Sequence, residues 1–158
     1  MADEIYVTTM EPEHLNQVMA IEGKCFTSPW GPNTFLREIT ENPYALYLVA
    51  VERENVVGYC GTWFVLDEAH ITNLAVDPRL QRRGVAKLLL HHLFALARTR
   101  GVRRATLEVR HSNMSARRLY SSLGFTEAGI RPGYYSDNNE DAVIMWLEDI
   151  GKAGREAR

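Results

Sequence analysis

Three arginines within five positions, Arg79, Arg82 and Arg83, lead into an apolar run in "VDPRLQRRGVAKLLL" (76–90). A strand, a turn with one essential glycine and a long helix make an anion site. First-turn N–H groups point outward there, and the helix dipole favours negative charge. Gly84 lets the backbone approach a phosphate closely, and the arginines can add charge-assisted bonds. A pyrophosphate-bearing ligand therefore accounts for the stretch better than a lone carboxylate does. The GxxxxGK[ST] phosphate loop is absent, and "GVAKLL" lacks the spaced glycines of a dinucleotide fingerprint. The competing reading is a solvated basic loop.

Further along, "TLEVRHSN" places Glu108 on a strand whose alternation puts Thr106, Glu108 and Arg110 on one face, opposite Leu107 and Val109. Tyr120 follows on the next helix, with Asn113 at that helix's start. Taken singly, Glu108 reads as a solvent-facing carboxylate and Tyr120 as a half-buried core aromatic. Beside the arginine loop they become candidates for chemistry.

The elements that must position these groups follow from periodicity. "EIYVTT" alternates as a strand, and Pro12 opens a helix carrying Leu15, Val18, Met19 and Glu22. "CFTSPWGP" breaks that helix, and Asn33 or Thr34 starts a second one through Glu41. "YALYLVAVE" and "VVGYCGTWFVL" form a hairpin across "RENV", and "AHITNLAV" leads to Asp77-Pro78. From Gly84 the period becomes helical, with Val85, Leu88, Leu89, His92, Leu93, Leu96 and Ala97 on one face and Gly101 as the stop. After the strand "RATLEVR" comes a helix capped by Ser112 or Asn113, bearing Ala116, Leu119, Tyr120 and Leu123, and ended by Gly124. Strands "TEAGI" and "DAVIMWLE" flank a turn-rich "RPGYYSDNN". The order predicts a mixed sheet with helices on its faces.

Composition narrows the classes. The chain has 158 residues, 46% of them hydrophobic, and a net charge of -2, which suits one domain without a global field for nucleic acid or lipid. Cys25 and Cys60 lack zinc-ligand or disulfide-framework spacing. Cys25 reads as a small structural thiol rather than a nucleophile. His91 and His92 are adjacent on a helix, so no metal is assigned. The start has no basic, apolar leader and no run reaches a membrane span, so a cytoplasmic protein is expected.

"QRRGVA" matches the acetyl-coenzyme A signature [QR]-x-x-G-x-[GA] of the GNAT N-acetyltransferases, with Ala86 in its last place. "NLAVDPRLQRRGVAKLLLHHLFALARTRG" and "TLEVRHSNMSARRLYSSLGF" resemble that family's core. "CFTSPWGPNTFLREI", "TLEVR" and "YYSDNNEDAVIM" narrow the resemblance to RimI-type ribosomal-protein-alanine N-acetyltransferases. It implies an α/β (α+β) GNAT fold: a mixed, mostly antiparallel sheet of about seven strands flanked by about four helices. Residues 1–150 would form one acetyltransferase domain, with 151–158 a polar, frayed tail.

By the same resemblance, backbone groups of Leu74, Ala75 and Val76 hold the pantetheine arm of acetyl-coenzyme A. The amides of Arg82, Arg83, Gly84, Val85, Ala86 and Lys87 wrap its pyrophosphate, and Asn113 bonds the pantetheine. Glu108 is implied as general base and Tyr120 as general acid toward the departing thiolate. Phe26, Trp30, Tyr134 and Tyr135 are implied to line the peptide site. The acidic stretch Asp137, Glu140 and Asp141 either attracts a basic terminus or is a solvated turn. The expected reaction is acetyl transfer to the N-terminal α-amine, alanine in particular, of a small-subunit ribosomal protein. The alternatives are a GNAT enzyme for other N-termini, lysines or small amines, a non-catalytic acyl-coenzyme A sensor, and a structural partner in a ribosome-associated or tRNA-modification complex.

Overall fold

The computed structural model describes residues 4–153. The expectations for residues 1–3 and for residues 154–158 of the tail lie outside the described residues. Strands β1 (Tyr6–Thr9), β2 (Ala45–Glu52), β3 (Asn55–Val65), β4 (Glu68–Val76), β5 (Arg104–Arg110), β6 (Thr126–Tyr135) and β7 (Glu140–Leu147) alternate with four α-helices. These are α1 (Leu15–Cys25), α2 (Pro32–Thr40), α3 (Val85–Thr99) and α4 (Met114–Ser122). The strands make one seven-stranded sheet in the order β1-β2-β3-β4-β5-β7-β6. The β4–β5 ladder is parallel, and β1–β2, β2–β3, β5–β7 and β6–β7 pair antiparallel. The expected mixed sheet with four helices is present.

The chain folds as two compact units. One comprises residues up to Phe64 together with Ile71–Leu93, and the other comprises Val65–His70 together with Phe94 onward. In the first, Val18 and Ile21 of α1, Phe35 of α2, and Tyr47, Val49 and Tyr59 of the sheet form a buried cluster. Each fully buried aliphatic side chain there contributes about 1.5–3 kcal/mol relative to exposure. Phe35 meets Tyr47 and Tyr59 edge-on, with ring centroids 6.4 and 5.8 Å apart. In the second unit, Leu107 and Val109 of β5 are buried while Thr106, Glu108 and Arg110 are half-buried, so the predicted alternation holds.

Three details differ from the sequence reading. Helix α2 begins at Pro32 with Gly31 as its N-cap, because proline at the first helical position loses no hydrogen bond. The buried stripe of α3 is Val85, Leu89, Leu90, Leu93, Phe94 and Ala97, whereas His92 and Leu96 are exposed. That helix is apolar over two adjoining faces, and packing selects the one bearing Phe94. Finally, "RPGYY" is not turn: β6 continues to Tyr135 through a register shift between Arg131 and Tyr135. Pro132 and a positive-φ Gly133 (62°) within that shift explain why the residues read as a loop. At the chain's end, Ile150–Lys152 closes a short 3-10 turn, with Asp149 accepting from the Gly151 amide at 2.9 Å.

Candidate active site

The first unit holds the backbone of the candidate anion site. Leu74 is half-buried and Ala75 and Val76 are buried at the end of β4. The parallel ladder with β5 pairs residues 68–70 with 104–106 and ends at His70, ahead of this stretch. Asp77 then turns the chain, accepting from the Arg79 amide at 3.0 Å. Arg82 and Gly84 take positive φ values of 68° and 82°. A Cβ on Gly84 would meet no protein atom, so the left-handed backbone is what selects glycine there. Leu88 N–H bonds the Gly84 carbonyl at 3.0 Å, so the amides of Val85, Ala86 and Lys87 precede the first intrahelical donor and are available to an anion.

The arginines are unequal. Arg79 turns back onto Asp77, with Nε 3.2 Å and a terminal nitrogen 2.9 Å from the two carboxylate oxygens. That contact holds the Asp77 carboxyl down at about 2. Arg82 and Arg83 are exposed on the loop itself. The residues therefore fit a pyrophosphate: a glycine-dependent turn, first-turn amides and two accessible guanidinium groups.

The second unit carries the proton-transfer candidates. Glu108 is only 11% exposed at its side chain, and His70 Nε2 lies 2.7 Å from Oε2. Register explains the meeting: His70 pairs with Thr106, and Glu108 is the next residue of β5 on that face. Arg131 approaches the other oxygen at 3.5 Å. The hydrogen bond from His70 outweighs desolvation and, with the charge of Arg131, draws the Glu108 carboxyl below its ordinary range. Glu108 is thus ionised at neutral pH and can accept a proton. His70, exposed at 37% of its side chain, is the functional candidate that sequence reasoning missed.

Tyr120 is buried on α4, its ring 5.5 Å from Phe125. Asn113 caps α4, its side-chain oxygen accepting from the Ala116 amide at 3.1 Å. The side-chain amide nitrogen can donate to a ligand while the oxygen holds the cap.

The four aromatics expected at the peptide site divide between the two units. Trp30 belongs to the first unit, tilted against Phe35 at 5.2 Å, with Phe26 38% exposed nearby in sequence. Tyr134 and Tyr135 meet edge-on at 5.1 Å in the second unit. There Arg110 lies 4.0 Å over the Tyr135 ring and pairs with Asp137 at 2.8 Å and Glu140 at 3.2 Å. Asp141 accepts from the Gly133 amide at 2.8 Å. The acidic stretch is thus engaged by Arg110 of β5 and by the Gly133 amide of its own hairpin. Cys25 Sγ donates to the Val76 carbonyl at 3.5 Å, and burial raises its pKa, as suits a structural thiol. Among the described residues no group of three or more His, Cys, Asp or Glu side chains could hold a metal, and no helix is long and apolar enough to cross a membrane.

Comparison with known proteins agrees with this geometry. The model of the acetyltransferase (GNAT) family matches residues 15–125. A Bacillus subtilis protein is 42% identical over 147 residues, covering 93% of this chain and 97% of its own. The [ribosomal protein bS18]-alanine N-acetyltransferase of Salmonella typhimurium is 42% identical over 143 residues, covering 89% and 95%. The crystal structure of the ribosomal-protein-S18-alanine N-acetyltransferase from Escherichia coli superposes with a TM-score of 0.82 at 38% identity, covering 91% of this chain and 93% of that one. The chain belongs to the GNAT family and is an N-acetyltransferase that uses acetyl-coenzyme A as its acyl donor.

Proposed function

We propose that the acceptor is the N-terminal alanine α-amine of ribosomal protein bS18, acetylated in the cytoplasm. Support comes from the names carried by relatives of about the chain's own length. The observation that carries the chemistry is the partly sheltered carboxylate of Glu108 held by His70 at 2.7 Å.

An α-amine has a pKa of about 7.7–8.0, so roughly a tenth to a fifth of it is neutral at pH 7. A lysine amine, near 10.4, is neutral in only about one molecule in a few thousand. A carboxylate drawn down by His70 is a weak base, suited to the first acceptor and not the second. The neutral amine attacks the thioester carbonyl, and the C–S bond breaks as the amide forms. Glu108 takes the amine proton, directly or through water, and Tyr120 supplies one to the thiolate. The backbone of Leu74, Ala75 and Val76 and the Asn113 amide hold the pantetheine arm. The amides from Arg82 to Lys87 hold the pyrophosphate. Phe26, Trp30, Tyr134 and Tyr135 contact the peptide.

Glu108→Gln and Tyr120→Phe are each expected to lower kcat by about 10²–10⁴-fold. Coenzyme A affinity, measured by calorimetry, should stay within about twofold in both variants. A wild-type protein that binds coenzyme A but has no turnover to lose would support an acyl-coenzyme A sensor instead.

A further inference from the structure

Glu22 is a charged residue of α1, only 2% exposed, that the acetyl-transfer chemistry leaves unused. Burying a carboxylate is costly unless protein donors replace its water. Both of its oxygens are met. Oε1 accepts from the hydroxyl of Tyr59 on β3, and Oε2 accepts from the backbone N–H of Trp30 at 2.9 Å. Tyr59 is itself fully buried against Phe35, which also packs on Trp30. One carboxylate thus joins a helix, the sheet and the loop at residues 26–31. Local backbone bonds close the loop's two ends: Phe26 N–H bonds the Glu22 carbonyl at 3.0 Å, and the Gly31 carbonyl receives Thr34 N–H at 3.2 Å.

We infer that Glu22 is a positioning residue for the acceptor: its bridge between Tyr59 and the Trp30 amide fixes where the 26–31 loop stands on the sheet, and so where the peptide lies. The inference rests on the reading of Phe26 and Trp30 as peptide contacts. A role of this kind is seen in acceptor binding alone. Neither the acetyl-coenzyme A site nor the chemical step depends on it.

Steady-state kinetics on an alanine-first peptide, with each substrate varied in turn, test it. Glu22→Ala is expected to raise the peptide KM about tenfold, with kcat and the acetyl-coenzyme A KM within about twofold of wild type. Glu22→Gln keeps an oxygen for the Trp30 amide and a nitrogen for the Tyr59 oxygen, so it should restore the peptide KM to within about twofold. Tyr59→Phe keeps the ring and cuts the bridge. It should also raise the peptide KM, and it carries the test if Glu22→Ala does not fold. A matching rise in the acetyl-coenzyme A KM, a Gln variant as impaired as Ala, or an unchanged peptide KM in Tyr59→Phe overturns the inference. If wild type does not acetylate the peptide at all, the acceptor reading fails, and hydrogen exchange at the Trp30 amide decides the bridge independently. Faster exchange in Tyr59→Phe supports the bridge, and unchanged exchange removes it.

Discussion

The loop at residues 26–31 and the hairpin formed by β6 and β7 are held by opposite means. A buried carboxylate with two donors ties the loop to the sheet. The hairpin is tied by Arg110, which stacks on Tyr135 and reaches Asp137 and Glu140, while Glu140 also accepts from the Ser112 amide at 2.8 Å. Losing the carboxylate strands the buried Tyr59 hydroxyl and the part-buried Trp30 amide together, which makes the first arrangement abrupt. Shared contacts and solvent make the second gradual and sensitive to salt and pH. A segment that must stand at a fixed height suits the first device, and one that must adapt suits the second.

The largest expected effect separates the two in stability. Glu22→Ala should cost about 2–5 kcal/mol in urea unfolding, because each stranded donor carries about 1–3 kcal/mol. Arg110→Ala should cost less than that, about 1 kcal/mol, because its half-buried ion pairs keep some contact with solvent. Equal losses in the two variants would show that loop and hairpin are held alike. A smaller effect sharpens the contrast. Hydrogen bonds from Ser112, with help from Arg110 and Asn138, hold the Glu140 carboxyl at about 2. A depressed folded pKa means that this tether is fully present above the unfolded value of about 4.3 and is lost as pH falls toward 2. The Ser112 amide resonance should therefore titrate with a midpoint near 2. A midpoint near 4.3 would show that Glu140 does not hold the hairpin.

Legibility in the sequence divides along a similar line. Features that depend on neighbours in the chain were readable: Gly84 before the helical run, Asn113 as a cap, and the outward side of Glu108 from a period of two. Features that depend on distant partners were not. His70 meets Glu108 only because a parallel ladder sets 68–70 beside 104–106. Glu22 was legible as one member of a helix face, but its partner Tyr59 lies 37 residues away on β3. The β6 extension was hidden because Pro132 and Gly133 signal a turn, and the structure absorbs them in a register shift. The Asp77 partner of Arg79 was two residues away, yet a pattern of charges alone does not say which arginine turns back.

Two alanine-first peptides decide whether the acceptor is an α-amine. One has a free α-amine and acetylated lysines, and the other a blocked α-amine and free lysines. With acetyl-coenzyme A at pH 7, the first should be acetylated about two hundredfold faster or more, following the neutral fractions of the two amines. Equal rates, or transfer only to the lysines, would contradict an α-amine acceptor.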